Sequence, residues 1–186
     1  MKIFFISFAS IISLAVAASA QVAAVGPGSV KMGKIQPGVV KTPEYMINGG
    51  PQKRSPIGSW LEIEVPFDTI PEEIDELKFK YTILIEKTLL DGEVTHVTIP
   101  AGREHYSVMY VPPRALLKLT GGRPLTAAAI GNVWVTIEKQ GQKLAEGSLK
   151  QSPMPNLPHA AGLILNKSET PFAPLFFDRY EAIKPK

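Results

Sequence analysis

The sequence contains no cysteine and only three histidines, and both shortages exclude classes of function. Without cysteine there is no disulfide framework, no thiol nucleophile and no thiolate metal site. Stability must therefore come from burial of apolar side chains, which a chain of 186 residues is long enough to achieve. The chain also has no large excess of charge of one sign, since its 20 basic and 17 acidic residues are interspersed. This balance does not indicate a nucleic-acid partner or an anionic membrane surface.

The beginning of the chain has the pattern of a secretory signal peptide. Lys2 is followed by an apolar run over residues 3–17, and the small residues 18–20 precede the expected cleavage point. A membrane anchor is the alternative, but the run is shorter than the roughly 20 apolar residues that a spanning helix needs. A lipoprotein anchor would need a cysteine at the cleavage point, and the sequence has no cysteine. We therefore predict a signal peptide over residues 1–20 and a mature protein that begins at Gln21.

Residues 21–57 are rich in proline, glycine and small side chains and show no sustained hydrophobic period. Such a segment has too little apolar surface to offset the entropy lost on ordering it. We therefore predict a flexible or extended N-terminal arm, followed by a domain over residues 58–186. An ordered edge strand is the alternative, because Val39–Val40 and the stretch from Tyr45 to Ile47 could pair locally.

Beyond Gly58, apolar and polar residues alternate with the period of two that is typical of half-buried strands. The predicted strands are residues 59–65, 77–86, 93–99, 104–111, 132–138, 143–150, 162–165 and 175–183. The expected core includes Ile83, Ile85, Val133, Val135 and Ile137. Seventeen prolines and 15 glycines separate these short segments and leave no room for crossover helices. The sequence therefore predicts an all-β fold, an antiparallel β-sandwich.

Two local features of this domain are also predicted. Asp91-Gly92 is expected to form a hairpin turn, because glycine accepts the positive φ that such turns need. The stretch from Arg114 to Leu119 is expected to be the one short helix, since prolines precede it and Gly121-Gly122 follows it.

The three histidines are the only candidates for a histidine-based site. If the strands over 93–99 and 104–111 pair, His96 and His105 face each other as cross-strand neighbours, and a two-histidine metal site is the alternative to ordinary structural positions. His159 lies apart from them in a proline-rich loop. No His-x-x-x-His spacing supports a metal centre. We therefore predict no metal site, no cofactor and no cofactor-binding residues.

Motifs for catalysis are missing as well. The chain has no Gly-x-Ser-x-Gly, no Ser-x-x-Lys, and no glycine-rich phosphate loop between a strand and a helix. Carboxylates that converge from different strands leave no local motif, so a small hydrolase is the enzymatic alternative. The sequence predicts no catalytic residue and a protein that is not an enzyme.

Most aromatic residues fall within the strand patterns and are expected in the core. These are Trp60, Trp134, Phe79, Tyr81 and Tyr106.

The aromatic residues near the C-terminus follow no strand pattern. Phe172, Phe176, Phe177 and Tyr180 lie within nine residues that also contain two prolines, so they cannot all face one side of a strand. The adjacent Phe176 and Phe177 must point to opposite faces. One of the two is therefore a candidate partner contact on the surface.

The strand phrases resemble a known family. WLEIEVPFDTIPEEIDELKFKYTILIE, YSVMYVPPRALLKL, IGNVWVTIE and LNKSETPFAPLFFDRYEAI are similar to the immunoglobulin-like envelope protein associated with type IV pilus gene clusters of verrucomicrobial bacteria. The resemblance covers roughly residues 58–184. It implies an immunoglobulin-like sandwich that is exported to the periplasm or outer membrane and acts in pilus assembly or surface interaction. No site residue carries over, and the chain lacks the Cys…Trp…Cys pattern of antibody domains.

Together these observations predict a non-enzymatic interaction protein of the bacterial envelope. Its expected partners are envelope proteins, including type IV pilus components, and no membrane span is expected after signal cleavage. The alternative is a carbohydrate-binding or adhesive module, in which Trp60 or the C-terminal aromatic residues stack on sugar rings.

Overall fold

The computed structural model describes residues 29–45, 58–175 and 178–185, which form two five-stranded sheets. The first sheet contains β1 (Val30–Met32), β2 (Gln36–Lys41), β3 (Ser59–Thr69), β6 (Gly102–Val111) and β10 (Leu165–Asn166). The second sheet contains β4 (Ile74–Ile85), β5 (Thr88–Ile99), β7 (Ile130–Lys139), β8 (Gln142–Ser148) and β9 (His159–Ala161). A short helix, α1 (Pro113–Leu119), follows β6, and single 3₁₀ turns occupy Ala127–Ala129 and Lys167–Glu169. The predicted all-β sandwich and its one short helix are confirmed.

Each sheet is built mainly from antiparallel pairs. In the first sheet, β3 pairs with β1 and β2 along one side and with β6 along the other, and β6 also pairs with β10. The strand order in the second sheet is β8-β7-β4-β5-β9. The short β9 pairs with β5 in parallel, whereas the other pairs of both sheets are antiparallel.

The core lies between the two sheets and follows the period of two. Alternate residues of β3, β4 and β7 point inward, where they form one apolar cluster. The five residues predicted from the pattern are all buried, with 0% or 1% exposure: Ile83, Ile85, Val133, Val135 and Ile137.

Part of the N-terminal segment belongs to the first sheet. β1 pairs with the end of β3, and β2 pairs with its beginning. Val30 and Ile35 are also buried in the core. This part of the predicted arm is therefore ordered, as in the edge-strand alternative, because backbone hydrogen bonds to β3 add to the burial of these few apolar side chains.

The predicted hairpin turn at Asp91-Gly92 is wrong. Both residues lie within β5, paired with Thr82 and Tyr81, and the turn between β4 and β5 falls at Glu86-Lys87 instead. Glycine is needed at position 92 for another reason. A Cβ atom there would come within 2.7 Å of the Cβ of Ile164, so the residue allows close packing and does not form a turn.

The conditional pairing of the strands over 93–99 and 104–111 does not occur, and the predicted last strand does not form a regular strand in its described residues. β5 and β6 lie in different sheets, because the chain crosses between the sheets at Pro100-Ala101. The predicted last strand over 175–183 is reduced to two isolated bridges, Tyr180 to Tyr106 of β6 and Ile183 to His96 of β5. This segment passes from one sheet to the other, so neither strand holds it for more than a short stretch.

Candidate functional site

A chain of buried polar side chains connects the two sheets. The hydroxyl of Tyr81 donates to Ser107 Oγ at 2.7 Å, and Ser107 Oγ lies 2.8 Å from His96 Nε2. The other ring nitrogen, Nδ1, lies 3.3 Å from the carbonyl oxygens of Glu181 and Ala182. These directions suit a neutral imidazole with its proton on Nδ1.

Burial explains the acid–base behaviour of this chain. It lowers the pKa of His96 to about 4, although the two carbonyl oxygens at Nδ1 oppose the shift. Burial also raises the pKa of Tyr81 above its usual range, so this phenol stays protonated. A Ser–His pair of this geometry could in principle activate a serine, but Ser107 is fully buried between the sheets. The pair therefore has a structural role in this fold.

The second buried histidine has different partners. His105 Nδ1 is 2.7 Å from the carboxylate of Glu181, and its Nε2 is 3.2 Å from Thr69 Oγ1. Thr69 itself donates to the carbonyl of Pro100 at 2.6 Å, so its oxygen is free to accept from Nε2–H. Both ring nitrogens of His105 therefore have partners within the protein.

The alternative of a metal site on His96 and His105 is not supported. All four ring nitrogens of the two residues have hydrogen-bond partners within the protein. Within the part of the chain that the structure describes, no group of three or more histidine, cysteine, aspartate or glutamate residues could hold a metal ion. His159 lies far from both and forms an exposed pair with Asp91 at 2.6 Å.

The outer face of the first sheet carries a second apolar cluster, separate from the core. This outer cluster consists of Trp60, Val108, Tyr110 and Phe172. The rings of Tyr110 and Phe172 stack with centroids 4.5 Å apart, and Trp60 meets Phe172 edge-on at 5.6 Å. Three of its members are the outward residues of β3 and β6, whereas Phe172 comes from residues 167–185, which we call the C-terminal segment.

Charged groups bind the C-terminal segment to the same face. The Arg179 guanidinium donates to both oxygens of Glu64, at 2.6 and 2.7 Å, and lies 4.2 Å from the ring centroid of Tyr106. Tyr180 donates to the same carboxylate at 3.0 Å. Desolvation raises the pKa of Tyr180, and the neighbouring carboxylates add to the shift. Lys167 also forms an ion pair with Asp178 within the segment.

The segment then closes the gap between the sheets. The backbone N–H of Glu181 donates to Tyr106 of β6 at 3.1 Å, and the N–H of Val97 in β5 donates to Ala182 at 3.0 Å. Lys184 donates to the carbonyl of Thr95 at 2.8 Å. The C-terminal segment therefore satisfies edge groups of both strands in turn.

An exposed apolar patch lies on top of this arrangement. Tyr45 and Leu175 are 44% and 43% exposed, and Pro174 is exposed beside Leu175. The Tyr45 hydroxyl donates to the carbonyl of Pro171 at 2.8 Å, which joins Tyr45 to the turn that carries Leu175. We refer to Tyr45, Pro174 and Leu175 as the surface patch.

The structure changes the roles expected of the aromatic residues. Trp60 is only 7% exposed, and its indole N–H donates to Thr42 Oγ1 at 3.0 Å, so the proposed use of Trp60 as a sugar platform is wrong. Trp134, expected in the core, is half-buried on the outer face of the second sheet. Phe172 is buried, and Phe176 and Phe177 lie outside the described residues. The sequence signal for the surface patch was the local density of proline and aromatic residues.

None of the helices in residues 29–45, 58–175 and 178–185 is long and apolar enough to cross a membrane.

Comparison with known proteins gives a fold relative and a family. A search of curated proteins finds no match. A crystal structure of a protein from Akkermansia muciniphila is similar to the chain with a TM-score of 0.73 and 23% sequence identity, over 84% of this chain and 93% of that chain. At this identity the likeness shows the shared fold. A protein-family model matches residues 21–186, most of the sequence, and the chain therefore belongs to the family that this model describes.

Proposed function

We propose that the chain is an exported, non-enzymatic protein of the bacterial envelope, which binds a protein partner through the surface patch beside a type IV pilus-like assembly. The observation that carries this proposal is the patch itself: Tyr45 and Leu175 are large exposed side chains, and the Tyr45 hydroxyl is hydrogen-bonded to the turn that carries Leu175. Exposed apolar groups of this kind mark interaction sites more often than single scattered ones.

The support beneath the patch favours binding. Phe172 and Tyr110 stack directly below the turn that carries Leu175, and the Leu175 N–H donates to the Phe172 carbonyl at 3.1 Å. The Leu175 carbonyl accepts from Lys167 Nζ at 2.6 Å. A turn fixed in this way loses little further conformational entropy when a partner binds.

Export is part of the proposal and is supported by the signal-peptide pattern. The family match begins at residue 21, which is the first residue after the predicted cleavage point. Protein purified from the native host is expected to begin at Gln21, and mass spectrometry of the N-terminal peptide tests this. An intact N-terminus starting at Met1 in the envelope fraction would contradict export by a cleaved signal.

An immunoglobulin-like topology is proposed on the basis of strand order. β2-β3-β6 in one sheet and β8-β7-β4-β5 in the other correspond to the A-B-E and G-F-C-C′ strands of that fold. This correspondence supports the resemblance to the pilus-associated envelope family, and with it the proposed place beside a pilus-like machine.

The proposal is tested by substitution of Leu175 with a matched control. We expect Leu175→Ser to reduce crosslinking of the chain to pilus components in native envelopes, while its unfolding free energy changes by less than about 0.5 kcal/mol. Leu117→Ser is the control, because Leu117 on α1 is the same residue type and is 50% exposed but is not part of the patch. Equal crosslinking by both variants and the unsubstituted protein would overturn the proposed patch.

The adjacent Phe176 and Phe177 extend this experiment. The expectation that one of them contacts the partner stays a prediction, and Phe176→Ser and Phe177→Ser belong in the same crosslinking series. Loss of partner binding in a variant that keeps its thermal stability would extend the patch by that residue. If both variants unfold, both residues are core.

A further inference from the structure

A row of side chains crosses the outer face of the second sheet, opposite in the molecule to the surface patch. The strand registers place Ser148, Trp134, Thr82 and Asp91 side by side on β8, β7, β4 and β5. Trp134 alternates with the core residues of β7, so its indole lies on the outer face, where it is only half-buried. We propose that this polar row is a binding site for uncharged saccharides, with the indole of Trp134 as its platform.

The indole is held in one orientation. Trp134 Nε1–H donates to the carbonyl of Ser152 at 3.1 Å. Ser152 is itself held by Asn132, whose Nδ2 donates to Ser152 Oγ and to the Lys150 carbonyl, each at 2.9 Å. The N–H edge of the indole is therefore used within the protein, and a ligand must contact the exposed part of its ring. A fixed aromatic ring binds with a smaller entropy cost than a mobile one.

The polar end of the row is equally well ordered. Thr82 Oγ1 donates to Asp91 Oδ1 at 2.9 Å, and His159 Nδ1 lies 2.6 Å from Asp91 Oδ2. The His159 side chain is 52% exposed, and its Nε2 has no partner among the described residues. A carboxylate with remaining lone pairs and an exposed imidazole nitrogen thus lie two strands from the indole.

This combination of groups fits a sugar. The C–H face of a pyranose ring stacks on an aromatic face, while its hydroxyl groups donate to carboxylates and accept from or donate to imidazole. Binding sites of this kind combine apolar surface with a few fixed polar groups. The row offers both, and all four of its residues are partly exposed.

The charges of the neighbouring rows favour an uncharged ligand. Lys80 pairs with Glu138 at 2.8 Å, and Lys78 pairs with Glu93 at 3.3 Å. Lys78 and Lys80 are therefore each paired with a carboxylate, and the nearby Lys150 Nζ donates to the carbonyl of Ile130 at 3.2 Å, so these ammonium groups already have partners within the protein. The site is independent of the proposed partner patch, so failure of one proposal leaves the other intact.

The test is a glycan array followed by an NMR titration of the full chain. We expect saturable binding to uncharged oligosaccharides and weaker binding to sialylated and sulfated ones. In a ¹⁵N-labelled sample the two indole N–H resonances report separately, and the best oligosaccharide should shift that of Trp134 and leave that of Trp60 in place. Trp134→Leu should weaken the affinity about tenfold or more, as loss of a central aromatic contact does.

One control variant and two further test variants keep the proposal falsifiable. Thr136→Ala, one row away on β7, should bind as the unsubstituted protein does. Asp91→Asn and His159→Gln, both at the exposed end of the row, should weaken binding even if Trp134→Leu fails to fold. Absence of saturable binding to uncharged glycans, stronger binding to anionic ones, or unchanged affinity in folded Trp134→Leu, Asp91→Asn and His159→Gln would each overturn the proposal.

Discussion

Both the interior of the sandwich and the outer cluster bury aromatic side chains, but different parts of the chain form them. The interior is formed by alternate residues of consecutive strands, such as Ile83 on β4 and Val135 on β7. The outer cluster exists only because the C-terminal segment brings Phe172 onto Trp60 and Tyr110. The interior is therefore lost only when the whole sandwich unfolds. The outer cluster is lost as soon as the C-terminal segment detaches.

The largest effect is expected in the interior. Val135 is 1% exposed, and Val135→Asp would place an unpaired charge between the sheets. We expect a loss of about 4 kcal/mol in unfolding free energy, because the carboxylate must be desolvated or neutralised. Urea denaturation monitored by circular dichroism measures it. Tolerance of the substitution would contradict the interior described above.

The interior also predicts a dependence of stability on pH. Burial lowers the pKa of His96 from 6.5 to about 4. Between these values the unfolded state binds a proton that the folded state does not, so the unfolding free energy falls as the pH is lowered from 6.5 to 4 and this contribution is constant outside the window. The loss is roughly 3 kcal/mol.

Denaturation curves across this range, for the unsubstituted protein and for His96→Gln, isolate the contribution. The nearby His105 and Glu181 are present in both proteins, so the comparison isolates His96. An equal pH slope in the two proteins would show that His96 is not the source.

A smaller effect is expected at the outer cluster. Phe172→Ala removes a ring that contacts both Trp60 and Tyr110. We expect a loss of about 2 kcal/mol, below the roughly 3–5 kcal/mol usual for such a truncation, because the C-terminal segment can detach while the sheets remain folded. Hydrogen exchange should increase at Glu181 and Val97 and remain slow in β4 and β7. Faster exchange throughout the sheets would show that the two regions unfold as one.

The smallest effect is expected at the ion pair that bounds the cluster. The Arg179 side chain is 57% exposed, whereas that of Glu64 is 6% exposed. We expect Arg179→Ala to cost about 1 kcal/mol, because solvent screens the cation but the carboxylate loses its main partner and keeps only Tyr180. Glu64→Gln in the same background should recover part of the loss. No recovery would mean that the packing of Arg179 on Tyr106 matters more than its charge.

The period of two predicted the interior well. It identified β3, β4 and β7 and their buried residues, because a strand between a core and solvent needs this alternation. The same rule did not predict the outer cluster. Trp60 and Tyr110 occupy outward positions, and they are buried because Phe172, more than 50 residues further along the chain, packs on them. The density of aromatic residues after Thr170 was the signal for that contact, but it did not indicate which face they cover.

The two candidate sites were also predicted only in part from the sequence. The predicted partner contact at Phe176 or Phe177 stays a prediction, whereas Tyr45 and Leu175 are exposed although the sequence pattern did not single them out for this role. The polar row of Trp134, Thr82 and Asp91 could not be predicted, because it needs the registers of three strands at once. Because a hairpin turn was predicted at Asp91-Gly92, the pairing of Asp91 with Thr82 across β5 and β4 was not expected.

The sequence by itself determined the fold class, the alternating strands, the short helix after the double proline and the residues of the interior, because these depend on local periodicity and on turn chemistry. Tertiary structure alone decided that His96 and His105 lie between the sheets with separate partners and that Trp60 is covered while Trp134 is open. It also decided that the C-terminal segment holds both sheet edges. These features depend on contacts between residues far apart in the chain, and such contacts form only when the packing of the two sheets brings those residues together.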